Sequence, residues 1–198
     1  MNQKELAILA DKSLLGIINQ IKDEQWDMTM PKDFPTNDPS KKSTLLEIID
    51  YHTYDNAWIP DMLAGKTMDE AGKDKYDADL KTPANRAKSR YAETVAAAKK
   101  AIEAADDMDK TVHCSFGDFS TFDYLGHIIV FRGMRMHDIA KVIGVDANIP
   151  DELVKGLWKY IEPQAEYLRK MGVFGKKVHV PADAPLQDRL LGLTGRQL

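Results

Sequence analysis

Residues 120–144 read STFDYLGHIIVFRGMRMHDIAKVIG, and this is the most apolar helical segment of the chain. Its large apolar side chains recur at helical spacing, which predicts one long helix that is apolar on most of its faces. The helix opens at Ser120 and ends at Gly144, because glycine readily adopts the left-handed conformation that closes many helices. Other elements of the chain must therefore cover this helix.

Three segments ahead of it carry the same helical spacing of apolar residues. They run from about Lys4 to Gln25, from Ser43 or Thr44 to Gly65, and from Thr82-Pro83 to about Asp107. The second begins with a capping box, in which the Thr44 hydroxyl and the Glu47 carboxylate each accept from a free backbone N–H. Pro60 lies inside the second helix and cannot donate a backbone hydrogen bond, so a kink is expected there.

The connections differ in length and character. Residues 66–81 are highly charged and predict a mobile connection, while residues 111–119 alternate weakly and indicate a strand or tight loop. A fifth helix is predicted from about Asp151 to Met171, with Pro163 inside it. A Pro-rich tail follows, with one short helix near residues 186–194.

Long helices with almost no strand signal predict an all-α fold. The expected architecture is an antiparallel four-helix bundle with an extra C-terminal helix and a Pro-rich tail packed outside it. At 198 residues, the chain is predicted to be a single domain spanning residues 1–198.

Composition excludes several classes of protein. A formal net charge of −4 gives no basic face for nucleic acid. No segment approaches the ~18 apolar residues that a membrane helix needs, so no membrane partner is expected. The single cysteine cannot form an internal disulfide, which favours a reducing, cytoplasmic location.

His52 is the most informative candidate for chemistry, because it lies on the apolar stripe of the second helix one turn before Asn56. One interpretation is a metal ligand or an acid–base group that faces the bundle interior. The other is a core histidine whose ring is hydrogen-bonded to a neighbour. The sequence leaves both open.

The remaining histidines and the cysteine predict little on their own. His127 and His137 are ten residues apart, so their backbones lie about 15 Å apart on an unbroken helix and cannot bind one metal together. His113 and Cys114 are adjacent in an extended segment and point to opposite faces. A small, buried, unreactive Cys114 is the simpler interpretation.

Arg132, Arg135 and Asp138 lie on nearby turns of the most apolar helix. Arginine and aspartate at i, i+3 spacing can form a partly buried ion pair. The functional interpretation is recognition of an anion, because a guanidinium matches the planar shape of a carboxylate.

Three phrases resemble the DinB/YfiT-like superfamily: LLEIIDYHTYDNAWIPDMLAG at 45–65, HDIAKVIG at 137–144 and VPADAPLQDRLLGLTGR at 180–196. They are most similar to the uncharacterised branch related to mycothiol-dependent maleylpyruvate isomerase N-terminal domains. The resemblance covers nearly the whole chain. It implies an antiparallel four-helix bundle that holds a divalent metal, zinc or nickel, with three side chains.

The same resemblance implies a degenerate metal site. The first family ligand, a histidine on the second helix, matches His52. The two ligands on the fourth helix correspond to Phe131 and Arg135 in one registration, and to Gly133 and His137 in the other. Either registration loses at least one ligand, which leaves His52 and His137 as the candidate metal ligands.

Two functions follow from these observations. The resemblance implies a metal- and thiol-dependent transferase or isomerase of unknown substrate, whose partner is a small-molecule thiol or an acidic substrate. The alternative is a metal-free binding or assembly protein on the same scaffold. In both, the expected pocket residues are Asn56, Phe131, Arg135 and Asp138.

A homodimer is also predicted. The fourth and fifth helices carry more large apolar groups than one bundle seam needs, and surplus apolar surface is typical of an interface. These residues are Phe122, Tyr124, Met134, Met136, Trp158 and Tyr160.

Overall fold

The structure, a computed structural model, describes residues 1–35 and 42–197 and is mostly helical with a small two-stranded sheet. The helices are α1 (Gln3–Ile18), α2 (Leu45–Leu63), α3 (Met68–Ala71), α4 (Ala84–Ala104), α5 (Thr121–Ile143), α6 (Asp151–Ile161), α7 (Ala165–Lys170) and α8 (Leu186–Leu193). The strands are β1 (Thr111–Cys114) and β2 (Gly117–Ser120), which pair antiparallel with Thr111 opposite Ser120. No helix in the described part of the chain is long and apolar enough to cross a membrane.

Local capping fixes where the two helices that carry the site begin and end. At the start of α2, Thr44 accepts a hydrogen bond from the backbone N–H of Glu47, and the Glu47 side chain accepts from that of Thr44. At the start of α5, Ser120 accepts from the backbone N–H of Asp123. Gly144 closes α5 in the left-handed region at φ 73°. The predicted ends of α5 and the predicted capping box of α2 are confirmed.

The long helices pack around one apolar core. Helix α1 lies against both α5 and α4, and α2 lies against α4. Fully buried side chains such as Leu14, Ile49, Tyr91 and Ile129 come from all four of these helices. This arrangement places one face of α5 towards α1 and α2.

Two predicted boundaries are corrected. The first helix ends at Ile18 rather than Gln25, and residues 23–25 form a separate 3-10 turn. Residues 66–81 are not an unstructured connection, since they contain α3 and a 3-10 helix at 77–81. The buried Asp61 carboxylate holds this segment, because it pairs with Lys66 at 2.9 Å and with Lys75 at 2.5 Å. The pattern of charges alone does not reveal that these pairs converge on one carboxylate.

The predicted fifth helix is also corrected, because it is broken at Pro163. Helix α6 ends at Ile161, a 3-10 turn covers 162–164, and α7 begins at Ala165. Proline lacks the N–H that would continue the ladder and crowds the preceding turn.

The C-terminal tail folds back over α6, with α8 packed against it. Val178 donates its backbone N–H to Gly192 at 2.9 Å, and Arg169 donates to the carbonyl of Leu193 at 2.8 Å. Gly175 and Gly195 allow a close backbone approach, since a Cβ on Gly195 would lie 2.6 Å from the carbonyl carbon of Gly175. The segment 194–197 is thereby brought next to the end of α5.

The apolar surplus on α5 and α6 is mostly covered within the chain. Tyr124, Met134 and Met136 are buried, and Phe122 is exposed. Trp158 and Tyr160 are half-buried, and a Cβ on Gly126 would lie 2.3 Å from the ring of Tyr160. Three of the six side chains that favoured a homodimer are therefore buried within the chain itself.

Candidate functional site

A two-chambered cleft lies along the second half of α5. An inner chamber of about 340 Å³ is bounded by Phe131, Met134, Arg135 and Phe174. An outer chamber of about 830 Å³ is bounded by residues 28–29 and 31–35, by His137 and Lys141, and by the C-terminal turn. Both chambers share part of their lining, namely Pro35, Asp138, Gly172, Val173, Phe174 and Arg196. The predicted pocket residues Phe131, Arg135 and Asp138 are thus brought together in one cleft.

Arg135 points into the inner chamber with its guanidinium almost buried. Its Nη1 donates to the carbonyl of Pro35 at 2.7 Å, and its Nε donates to His52 Nε2 at 3.1 Å. The rings of Phe34 and Phe131 lie 4.8 and 5.6 Å from its central carbon, which is cation–π distance. Burial lowers the pKa of Arg135 to about 10, so the side chain is still cationic at neutral pH.

The carboxylate nearest to Arg135 is engaged elsewhere. Asp138 accepts two parallel hydrogen bonds from Arg196, from Nε at 2.7 Å and from Nη2 at 2.7 Å. Arg135 Nη1 lies 4.0 Å from the same carboxylate, which is beyond hydrogen-bond distance. The expected i, i+3 pair is present only as a long contact, and Asp138 mainly anchors the C-terminal turn. Arg135 keeps its positive charge without a hydrogen-bonded carboxylate in the described part of the chain.

His52 is a buried residue behind Arg135 and stacks on Phe131, with ring centroids 4.5 Å apart. Its Nδ1 lies 2.9 Å from Arg132 Nη1, and its Nε2 lies 3.1 Å from Arg135 Nε. Burial lowers the pKa of His52 well below its usual range, and the two arginines lower it further. The imidazole is therefore neutral.

A neutral imidazole has one acceptor nitrogen, because the other carries the proton. Both nitrogens of His52 nevertheless face guanidinium donors. Only one of the two contacts is therefore a hydrogen bond, and at the other an N–H faces an N–H. With Arg135 Nε as the donor, Nε2 is the acceptor nitrogen and Nδ1 carries the proton, so the N–H that faces an N–H lies at Arg132.

Arg132 is completely buried and forms the centre of a polar network that joins three helices. Its Nε donates to Asp11 at 3.2 Å and to Asn56 at 3.1 Å, and its Nη2 donates to Asp55 and Asn56. Burial alone would lower the pKa of Arg132, but the carboxylates of Asp55 and Asp11 and the Tyr91 hydroxyl outweigh it and raise the pKa. Asn56, a predicted pocket residue, lies in this network one layer behind the cleft.

His137 lies on the outer side of α5 and lines the outer chamber. Its Nδ1 is 2.8 Å from the carbonyl of Ala147, so Nδ1 carries the proton and Nε2 is the acceptor. That Nε2 is buried and has no hydrogen-bond partner in the described residues.

The donor set does not fit a three-ligand metal centre. Within residues 1–35 and 42–197, no group of three or more His, Cys, Asp or Glu side chains is arranged to hold a metal ion. Of the two predicted ligands, His52 has a guanidinium at each nitrogen, and His137 offers a lone pair that has no partner in the described residues. The predicted pairing of His52 with His137 on zinc or nickel would require His52 to give up a guanidinium contact.

The other chemistry-bearing side chains lie away from the cleft. His113 contacts Asp118 at 2.9 Å on the hairpin, and His127 packs edge-on against Phe119 at 4.6 Å. Burial raises the pKa of the Cys114 thiol to about 12, so its thiolate is scarce at neutral pH.

Sequence reasoning missed Asp11 and Arg196. Asp11 carried a usable signal, because it sits on the buried face of α1 between Ala7 and Leu14, where a carboxylate needs a cationic partner. Arg196 carried none, since its place in the cleft depends on how the tail folds back. The chain matches no protein-family model, no curated protein and no solved structure.

Proposed function

We propose that this protein binds small anionic organic molecules through Arg135, with no metal ion in the binding site. One observation carries the proposal: the guanidinium of Arg135 is almost buried in a cleft and has no hydrogen-bonded carboxylate among the described residues. Burying an unpaired cation costs free energy, which an anionic ligand would offset.

The His52 contact supports the same function. His52 holds Arg135 by a single hydrogen bond of 3.1 Å, which Arg135 can exchange for a hydrogen bond to an anion. Arg132 remains fixed by Asp11, Asn56 and Asp55 when Arg135 turns. The network behind the cleft thus leaves Arg135, rather than Arg132, as the guanidinium that a ligand in the cleft can reach.

The finer assignment of the fold is part of this proposal. The chain would be a DinB/YfiT-like protein in which α1, α2, α4 and α5 form an antiparallel four-helix bundle. The packing of α1 on α4 and α5, and of α2 on α4, supports that arrangement. In such a fold an arginine would take the place of a lost ligand, and its cation would replace the charge of the metal. A cytoplasmic location belongs to the same proposal.

A metal- and thiol-dependent transferase or isomerase is the second candidate. The observation that favours it is His137, whose protonated Nδ1 faces a carbonyl while its Nε2 is free. Metal-binding histidines are commonly oriented in this way. Metal analysis of protein purified without a His tag separates the two functions, because the second requires close to one zinc or nickel per chain.

The binding function is tested by thermal unfolding in EDTA with small carboxylate salts at matched ionic strength. A ligand that binds only the folded state raises the melting temperature, by about 5–11 °C at a hundredfold excess over its Kd. We expect this rise in the wild type and its loss in Arg135→Gln.

Arg189→Gln is the matched control, because Arg189 also lies over an aromatic ring, that of Trp158 at 4.7 Å, but does not line the cleft. It should keep the full rise. An equal rise in Arg135→Gln, or a rise that requires added zinc, would contradict the proposal.

A further inference from the structure

We infer that the ligand of the inner chamber is a singly charged carboxylate on an apolar body, rather than a dicarboxylate or a phosphate ester. This inference rests on the proposed anion-binding function and specifies its ligand. It is drawn from the charge of the chamber, from the donors that remain on Arg135, and from the apolar wall beside it.

The charge of the inner chamber admits one negative charge. Its charged lining residues, in the described part of the chain, are Arg135, Arg196 and Asp138. Arg196 and Asp138 neutralise one another through two hydrogen bonds of 2.7 Å each. The positive charge of Arg135 is left over. A dianion would therefore bring one charge more than the chamber can match, at a place where burial makes an unmatched charge costly.

The donors on Arg135 lead to the same conclusion. Nη1 donates one N–H to the carbonyl of Pro35, and the rings of Phe34 and Phe131 lie 4.8 and 5.6 Å from the guanidinium carbon. Among the described residues, the second N–H of Nη1 and both N–H groups of Nη2 have no hydrogen-bond partner, so the edge between Nη1 and Nη2 is open to a ligand. Two parallel donors on one edge match the two oxygens of a carboxylate. A phosphate monoester has three non-bridging oxygens that share up to two negative charges, so at least one of them would lack a donor on this edge.

The wall beside Arg135 is apolar. Val130, Met134 and Phe174 line the chamber next to the guanidinium. At its mouth Met171 and Val173 are exposed by 64% and 55%, which is unusual for large apolar side chains at a cleft rim. A ligand with an apolar body would remove these side chains from water, and each CH₂ that becomes buried adds affinity.

The inference is tested by calorimetric titration with probes that separate charge from apolar body. Hexanoate carries both, acetate lacks the body, hexanamide lacks the charge, and adipate and hexyl phosphate carry extra charge. We expect hexanoate to bind at least tenfold more tightly than each of the others.

Two variants test the individual steps. Met171→Glu should weaken hexanoate binding at least fivefold, whereas Phe116→Glu should leave it unchanged, because Phe116 is equally exposed but lies on the hairpin away from the cleft. Asp138→Asn removes the carboxylate that neutralises Arg196, so adipate should gain at least fivefold relative to hexanoate.

The outcomes distinguish this inference from the proposed function. If no anion binds and Arg135→Gln behaves as the wild type, the binding function itself fails. If anions bind through Arg135 but adipate or hexyl phosphate binds as tightly as hexanoate, the function stands and the monocarboxylate inference is wrong. Equal loss of hexanoate binding in Met171→Glu and Phe116→Glu would show that the apolar wall does not contact the ligand.

Discussion

Asp50 shows how a single buried carboxylate can make stability depend on pH. It is 4% exposed on α2, and its Oδ1 has no hydrogen-bond partner in the described residues. Burial raises the pKa of Asp50 from 3.8 to about 7, although hydrogen bonds from Thr82 oppose the rise. Between these values the folded state binds more protons than the unfolded state. The contribution to stability is therefore full below about pH 4 and is lost as the pH rises through 7.

Asp50→Asn should remove this dependence, because asparagine is isosteric and does not ionise. We expect the wild type to lose about 2 kcal/mol of unfolding free energy relative to the variant between pH 5 and pH 8. Urea unfolding of both proteins at the two pH values measures the difference. If the unfolding free energies of the two proteins differed by the same amount at both pH values, the pKa of Asp50 would not be raised by burial.

At the scale of secondary structure, Arg132 ties three helices together. Asp11 lies on α1, Asp55 and Asn56 lie on α2, and Arg132 lies on α5. Arg132→Leu would remove the cation that pairs with the buried Asp11 carboxyl, whose Oδ2 already has no hydrogen-bond partner in the described residues. Removing one member of a buried ion pair costs about 3–5 kcal/mol of unfolding free energy. The check is chemical denaturation of the single variant and of Arg132→Leu with Asp11→Asn. The double variant should recover part of the loss, and no recovery would show that the pair does not couple.

Helices α5 and α6 approach one another closely at Gly126. A Cβ on Gly126 would lie 2.3 Å from the Tyr160 ring, so Gly126→Ala forces the two helices or the ring to move. We expect a destabilisation of about 1–3 kcal/mol from overpacking.

Gly16→Ala in α1 is the control, since nothing lies within 4 Å of its added Cβ. Alanine is favoured over glycine inside a helix, so this variant should gain about 0.5–1 kcal/mol. Thermal melts of both variants measure the two signs. A stabilised Gly126→Ala would mean that Tyr160 moves aside at no cost.

The accuracy of the sequence predictions differs between elements for physical reasons. The ends of α2 and α5 are set by residues within each helix, such as Thr44 and Gly144, and a local signal is sufficient to find them. The break at Pro163 is also local, but a proline inside a helix can either kink it or end it. Residues 66–81 are ordered by ion pairs to Asp61, which depend on tertiary structure.

At the scale of the whole molecule, only the part of the cleft that lies on α5 could be predicted from the sequence. Arg135 and Asp138 share one helix, so their spacing along the sequence already placed them together. Arg196 reaches them only because the tail returns over α6, and no periodic pattern encodes that return. The charge balance of the cleft, on which ligand selection depends, is therefore a property of the tertiary fold.

The oligomeric state depends on how much of the apolar surface of α5 and α6 is covered within one chain. The homodimer was predicted from surplus apolar side chains on two helices. Tyr124, Met134 and Met136 are buried within the chain, and Tyr160 covers Gly126. Of the six side chains, Phe122 is the one that remains exposed, and a stable dimer buries about 1,200–2,000 Å². We therefore expect light scattering at micromolar concentration to give a mass near the 22.3 kDa of one chain. A mass twice as large would restore the homodimer and would place its interface at side chains that remain exposed, such as Phe122.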